Sequence, residues 1–139
     1  MKNIEDYCKK NSLKLTPVRR KVLELLLEEK RGLGAYRILD LLRDAGFKSQ
    51  PPVAYRALDF LVENGFAHKI GSQNSFVACT KPGEHHSPVF MICKKCDSVS
   101  EGPSSPILPE LSDSLRDTGF EVEQTIIEAE GVCGSCASN

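Results

Sequence analysis

No stretch of the 139 residues approaches the roughly 18 consecutive apolar residues that a membrane-spanning helix needs, which excludes a helical membrane protein. The N-terminus, MKNIEDYCKK, is too charged for a secretory leader, so the expected location is the cytoplasm, with no membrane partner. There is no internal repeat and no low-complexity tract, which excludes a repeat array. Net charge is also nearly absent: the total is only -1, which on its own argues against a nucleic-acid binder. The distribution argues the other way. Residues 1–82 carry 15 Lys/Arg against 9 Asp/Glu, a net of +6, and residues 83–139 carry 3 against 10, a net of -7. A basic front half suits a polyanion, and an acidic back half would be repelled by one and must serve another purpose.

The front half reads as helices separated by short breaks. Thr16 followed by Pro17 is a helix start, because Thr caps and Pro is tolerated in the first turn; Val18, Val22, Leu25 and Leu26 then form one apolar face. A second stripe, Ala35, Ile38, Leu39, Leu42 and Ala45, stops at Gly46. A third begins near Ser49 with Pro51 and Pro52 in its first turn, turns Ala54, Leu58, Leu61 and Val62 inward, and ends at Asn64-Gly65. A leading helix is expected around Ile4 to Lys10. After Gly65 the period changes: Phe66 to Ile70, a break at 71–74 and Ser75 to Cys79 predict a β-hairpin. Three helices and a hairpin make the winged-helix layout, so the expected class is α+β, with a winged-helix domain over 1–80, a hinge at 81–84 and a small α/β domain over 85–139. In that second domain Val89 to Ile92 and Val99 to Glu101 read as strands. Leu108, Leu111 and Leu115 predict a helix ended by Gly119, and Phe120 to Ala129 reads as extended.

Four of the six cysteines form two C-x-x-C pairs, Cys93/Cys96 and Cys133/Cys136. Two intervening residues let both sulfurs of a tight turn face one ion, and two such turns complete a tetrahedral shell of four sulfurs, which zinc favours. Four protein ligands leave no open position for water, so the site is structural and ties the first turn of the small domain to its last. A redox dithiol is the competing reading, disfavoured by two such pairs in one small domain.

A second constellation gathers His68, His85, His86 and Cys79 within 19 residues of wing and hinge. Thiolate, imidazole and a nearby carboxylate make a mixed S/N/O site for a borderline metal such as zinc, although Cys79 can equally be a small core residue and a wing histidine a phosphate contact. His85 and His86 point to opposite sides of an extended chain, so only one of them is a ligand. On the third helix the residues off the apolar stripe are Tyr55, Arg56, Asp59 and Glu63. Arg can bridge guanine O6 and N7, and a Tyr ring can contact a thymine methyl, which suits Tyr55-Arg56 to base contact; an ordinary solvated face is the alternative. Arg19, Arg20, Tyr36 and Lys69 are expected on phosphates.

LTPVRRKVLELL, PPVAYRALDFLVENGFAHK and a C-x-x-C before a distant C-x-x-C resemble the ferric-uptake-regulator family, nearest its zinc-uptake branch, over about Ser12 to Cys136. The resemblance implies a homodimer that binds double-stranded operator DNA when metal is present, a winged-helix DNA-binding domain, an α/β dimerisation domain and two zinc ions per chain. Cys93, Cys96, Cys133 and Cys136 fall on the family's structural zinc ligands. His68 in FAHK, Cys79 closing FVAC, His86 and Glu101 fall on the regulatory site of the zinc branch, and Tyr55-Arg56 on the recognition-helix pair. PPVAYR departs from the threonine and valine that usually precede Tyr-Arg. The His-rich segment of iron sensors is reduced to His85-His86, and no His-rich tail follows.

The function so implied is a zinc-responsive repressor of zinc-uptake genes, with no small-molecule substrate. An iron, manganese or peroxide sensor of the same family is the nearest alternative, and Cys79 as a soft ligand favours zinc over it. A zinc hydrolase or deaminase would need an open coordination position and a general base; four thiolates offer neither, and the H-x-E signature is missing. A zinc-ribbon module that binds protein alone leaves the basic front half without a purpose.

Overall fold

A computed structural model describes residues 2–79, 89–102, 107–123 and 125–138. The chain divides into two compact units, 1–84 and 85–139. In the first, four helices, α1 (Lys2–Lys10), α2 (Pro17–Glu28), α3 (Ala35–Asp44) and α4 (Pro51–Glu63), precede the hairpin β1 (Ala67–Ile70) and β2 (Ser75–Ala78). In the second, β3 (Val89–Cys93), β4 (Val99–Glu101), α5 (Ile107–Arg116), β5 (Ile127–Gly131) and α6 (Gly134–Ala137) follow. Among the described residues no helix is long and apolar enough to cross a membrane.

The helix boundaries have local causes. Thr16 is extended and its hydroxyl accepts from the Arg19 N–H, capping α2, with Pro17 in the first turn. α3 and α4 stop by one device. Gly46 and Gly65 take positive φ (92° and 76°). The next residue's N–H then reaches back into the helix, Phe47 to the Leu42 carbonyl at 3.0 Å and Phe66 to that of Leu61 at 2.8 Å.

The core of the first unit collects Val22, Leu23 and Leu26 from α2, Ile38, Leu39 and Leu42 from α3, and Ala54, Ala57, Leu58 and Leu61 from α4. Each fully buried Leu or Ile contributes about 1.5–3 kcal/mol. The buried set differs from the sequence reading at several positions, among them Leu23, which is buried although the apolar face read for α2 omitted it. Ala45 is exposed, because α3 has ended by then, and Val62 is exposed while Ala57 is buried. The inward face of α4 follows a 54-57-58-61 spacing, the stripe that faces α2 and α3. α1 lays Ile4 and Cys8 on this core, and burial pushes the Cys8 thiol up. Tyr7 meets Phe66 edge-on at 5.5 Å. Leu33 adds a bridge to the hairpin, exchanging hydrogen bonds with Phe76 at 2.9 and 2.8 Å.

In the second unit the sheet order is β4-β3-β5, antiparallel between β3 and β4 and parallel between β3 and β5. Phe90 and Ile92 are its buried residues along with Cys93. The strand expected over 120–129 is shorter and later, Ile127–Gly131, and Phe120 is exposed. Parallel pairing fixes this: Val89 stands opposite Ile127 and Cys93 opposite Gly131. The preceding residues are the return from α5 that a parallel connection requires. α6, a single turn after Cys133, was not legible in the apolar pattern because none of its residues is buried.

Candidate functional site

The register of β3 against β5 brings the two cysteine knuckles together. Cys93 is the last residue of β3, and its partner Gly131 lies two residues before Cys133. The Lys94 N–H donates to the Gly131 carbonyl at 2.8 Å, holding the first knuckle turn on the end of β5. Asp97, at φ 61°, completes that turn, and the Cys93 N–H donates to the Ser98 carbonyl at 3.0 Å. Cys133 starts α6, which carries Cys136 one turn further.

All four sulfurs lie within 4.8 Å of one another. Zinc–sulfur bonds of about 2.3 Å set the corners of a tetrahedron about 3.8 Å apart, and Cys96 Sγ and Cys133 Sγ stand 3.8 Å apart. The donor set and its spacing therefore fit one tetrahedral ion of that size. The thiols are unequal. The Cys133 N–H at 3.4 Å and the Cys96 N–H at 3.5 Å donate to Cys93 Sγ, and with them its thiol falls from 9.0 to about 6. Cys96 is lowered as well, chiefly by the Ser98 hydroxyl 3.1 Å from its sulfur. Cys136 is pushed up to about 12, first by its hydrogen bond with Cys133 and then by desolvation. Four thiolates crowded about one point cannot all ionise unaided, and a divalent cation at their centre removes that conflict. Ser98 was missed in the sequence; its signal is the hydroxyl two residues past the second cysteine of the knuckle.

His68 and Cys79 meet within the first unit. His68 lies on β1, opposite Val77 of β2, and Cys79 follows β2 with its N–H on the Phe66 carbonyl at 2.9 Å. A ring nitrogen of His68 and the sulfur of Cys79 lie within 4.8 Å, and both residues are buried. This is the soft half of the expected mixed donor set. Glu101 ends β4, opposite Phe90, and is half-buried. His85 and His86, and the hinge at 81–84, lie outside the described residues.

The outward face of α4 carries Tyr55 and Arg56, both exposed. Beside it a cleft of about 310 Å³ is lined by Tyr36, Tyr55, Asp59, Lys69 and Phe76 among others, so α3, α4 and the hairpin all contribute. Three of the expected contacts, Tyr36, Tyr55 and Lys69, thus share one concavity. Tyr36 is 71% exposed, which leaves its ring and hydroxyl open to a partner at the cleft. Arg20 is ion-paired with Glu5. Arg19 lies apart from the cleft, half-buried, with its guanidinium over the Phe60 ring.

A model of the ferric uptake regulator family matches residues 10–130. The zinc uptake regulation protein of Escherichia coli strain K12 is 38% identical over 133 residues, covering 95% of this chain and 78% of that protein. Among solved structures, a zinc uptake regulator complexed with zinc and DNA superposes with a TM-score of 0.92 at 36% identity, over 98% of this chain and 91% of that one. The holo form of the regulator XcZur superposes with a TM-score of 0.91 at 37% identity, over 99% and 96% of the two chains.

Proposed function

The chain belongs to the ferric uptake regulator family, and from that premise we propose that it is a zinc-responsive transcriptional repressor, binding operator DNA as a homodimer in the cytoplasm. The observation that carries this reading is the likeness, over nearly the whole chain, to a regulator solved with both zinc and DNA. The four-sulfur cluster and the exposed Tyr55-Arg56 pair support it independently.

The first unit is the DNA-binding domain and the second the dimerisation domain. α4 is the recognition helix. Arg56 presents a planar fork of donors suited to guanine O6 and N7, Tyr55 an apolar ring edge suited to a thymine methyl, and Tyr36 and Lys69 donate to phosphates along the cleft. Cys93, Cys96, Cys133 and Cys136 hold one zinc with a closed shell, which suits a structural ion and no catalytic one. We read the chain as a regulator and not as an enzyme. His68, Cys79, His86 and Glu101 hold the second, regulatory zinc. Zinc bound there would supply a double positive charge to which ligands from both sides of the hinge in sequence could donate. Ordering those residues before DNA arrives lowers the conformational cost of occupying two half-sites. Cys79 as a thiolate and His68 as an imidazole select a borderline ion over the harder iron and manganese ions.

A gel-shift titration on genomic DNA fragments across buffered free zinc, with iron and manganese in parallel, tests the reading. Retardation that rises with zinc at the lowest free-ion level is expected. Retardation indifferent to zinc, or set by iron or manganese instead, would replace it with a different sensor of the same family.

A further inference from the structure

Sequence position groups Arg19 with the basic residues expected on phosphates, but in the fold its guanidinium is already engaged. Nη1 donates to the Lys14 carbonyl at 2.7 Å, and Cζ sits 3.9 Å from the centroid of the Phe60 ring. The same residue's N–H is held by Thr16 at 3.3 Å. The side chain of Arg19, itself in the first turn of α2, therefore bridges the α1–α2 loop and the last third of α4. Phe60 in turn packs on Phe66, their ring centroids 6.4 Å apart, and Phe66 packs on Tyr7 of α1.

Phe60 follows Arg56 by four residues. Residues four apart share a helix face, and helical side chains lean toward the N-terminus, so the ring that Arg19 covers lies on the edge of α4 that carries Arg56. A planar guanidinium stacked on that ring and fixed to a carbonyl resists rotation of α4 about its axis. Lysine has neither the flat face nor the fork of donors, and an ammonium at this place would keep the charge and lose the brace.

We propose that Arg19 is a positioning residue: stacked on Phe60 and tied to the Lys14 carbonyl, it sets the roll of α4 and so the direction from which Arg56 reaches a base edge, and it does not contact phosphate. The proposal rests on the DNA-binding reading above. It adds to that reading a residue that governs sequence discrimination without touching DNA.

The test uses a duplex enriched from a random pool by the zinc-loaded wild-type protein, and a scrambled duplex of the same composition. Affinities of Arg19→Lys, Arg19→Gln, Phe60→Leu and the Arg19→Lys/Phe60→Leu double variant are measured on both duplexes over a salt series. Heat denaturation, dimer mass and zinc content are recorded alongside. Arg19→Lys and Arg19→Gln should each lose roughly five- to tenfold on the enriched duplex, the size of one misdirected base contact. They should change little on the scrambled duplex and keep the wild-type salt dependence. Phe60→Leu should copy them, and the double variant should lose no more than either single change, as coupled neighbours do. The opposite pattern overturns the proposal: Arg19→Lys binding as wild type while Arg19→Gln weakens both duplexes alike and lowers the salt slope by about 0.9 marks a phosphate contact. Additive losses in the double variant overturn it as well. Should Phe60→Leu fail to fold, the contrast between Lys and Gln at position 19, which leaves the ring in place, decides alone. If the wild-type protein enriches no duplex, the DNA-binding reading falls and this one with it, and the wild-type control separates that outcome from the others.

Discussion

A thiolate in a closed metal shell and an arginine on a helix face differ in how much of the protein depends on them. Cys96 sits 3.8 Å from Cys133 across the two knuckles, so its sulfur is one of the bonds joining the end of β3 to the start of α6. Cys96→Ser should release that zinc, unfold the second unit and abolish dimerisation, because the binding energy of a structural zinc is folding energy. Size-exclusion and zinc analysis check it; a zinc-replete dimer would remove the structural assignment. Arg56 is exposed and outside the core, so Arg56→Ala should leave folding and zinc content intact and weaken specific DNA binding by about 1–3 kcal/mol. Lys69→Ala, at the hairpin edge of the cleft, should weaken all sequences alike and shallow the salt dependence by about one unit. Competition assays with unrelated duplexes distinguish the two. Equal, sequence-selective losses for both would contradict the division of labour between base and phosphate.

At the scale of elements, most of the first unit was legible because its signals are local. Thr16-Pro17 writes a cap and a first turn, and Gly46 and Gly65 write left-handed stops, each through one residue's own conformational preference. A Cβ at Gly65 would meet nothing within 4 Å, so Gly65→Ala tests the backbone alone. It should cost about 1–2 kcal/mol, the penalty of a left-handed L-residue, read as a lower melting temperature. An unchanged melting temperature would mean that the stop of α4 is held by Phe66 packing instead. What was not legible depends on partners distant in sequence. Which of Ala57 and Val62 turns inward depends on how α4 lies against α2 and α3, and the start of β5 on its parallel register with β3. The four-sulfur cluster was readable because C-x-x-C spacing carries its own geometry. The stacking of Arg19 on Phe60 was not, since 40 residues of chain lie between the two and no pattern links them.

On the scale of the whole molecule the question is whether zinc merely holds the protein together or also governs its affinity for DNA. The two sets of ligands make the question separable. The four cysteines all belong to the second unit, while His68 and Cys79 belong to the first. Substituting a ligand of the proposed mixed set should therefore spare the four-cysteine centre and alter only what depends on the second ion. Cys79→Ser keeps a small side chain in a buried place and removes the thiolate. The expected outcome is a folded dimer that keeps the zinc of Cys93, Cys96, Cys133 and Cys136. It should bind about one zinc fewer per chain and lose most of the zinc-induced gain in operator affinity. That loss should be about 1–3 kcal/mol, the usual size of a coupling between sites, and linkage requires that saturating operator tighten zinc binding in the wild type by the same factor. His85→Ala should change little, since the proposed site takes His86 and not His85. Zinc titrations with and without operator, by calorimetry or a competing chelator, measure both sides of the cycle. An unchanged zinc response in Cys79→Ser, or wild-type zinc affinity indifferent to operator, would leave the fold and the four-cysteine centre standing and remove the switch.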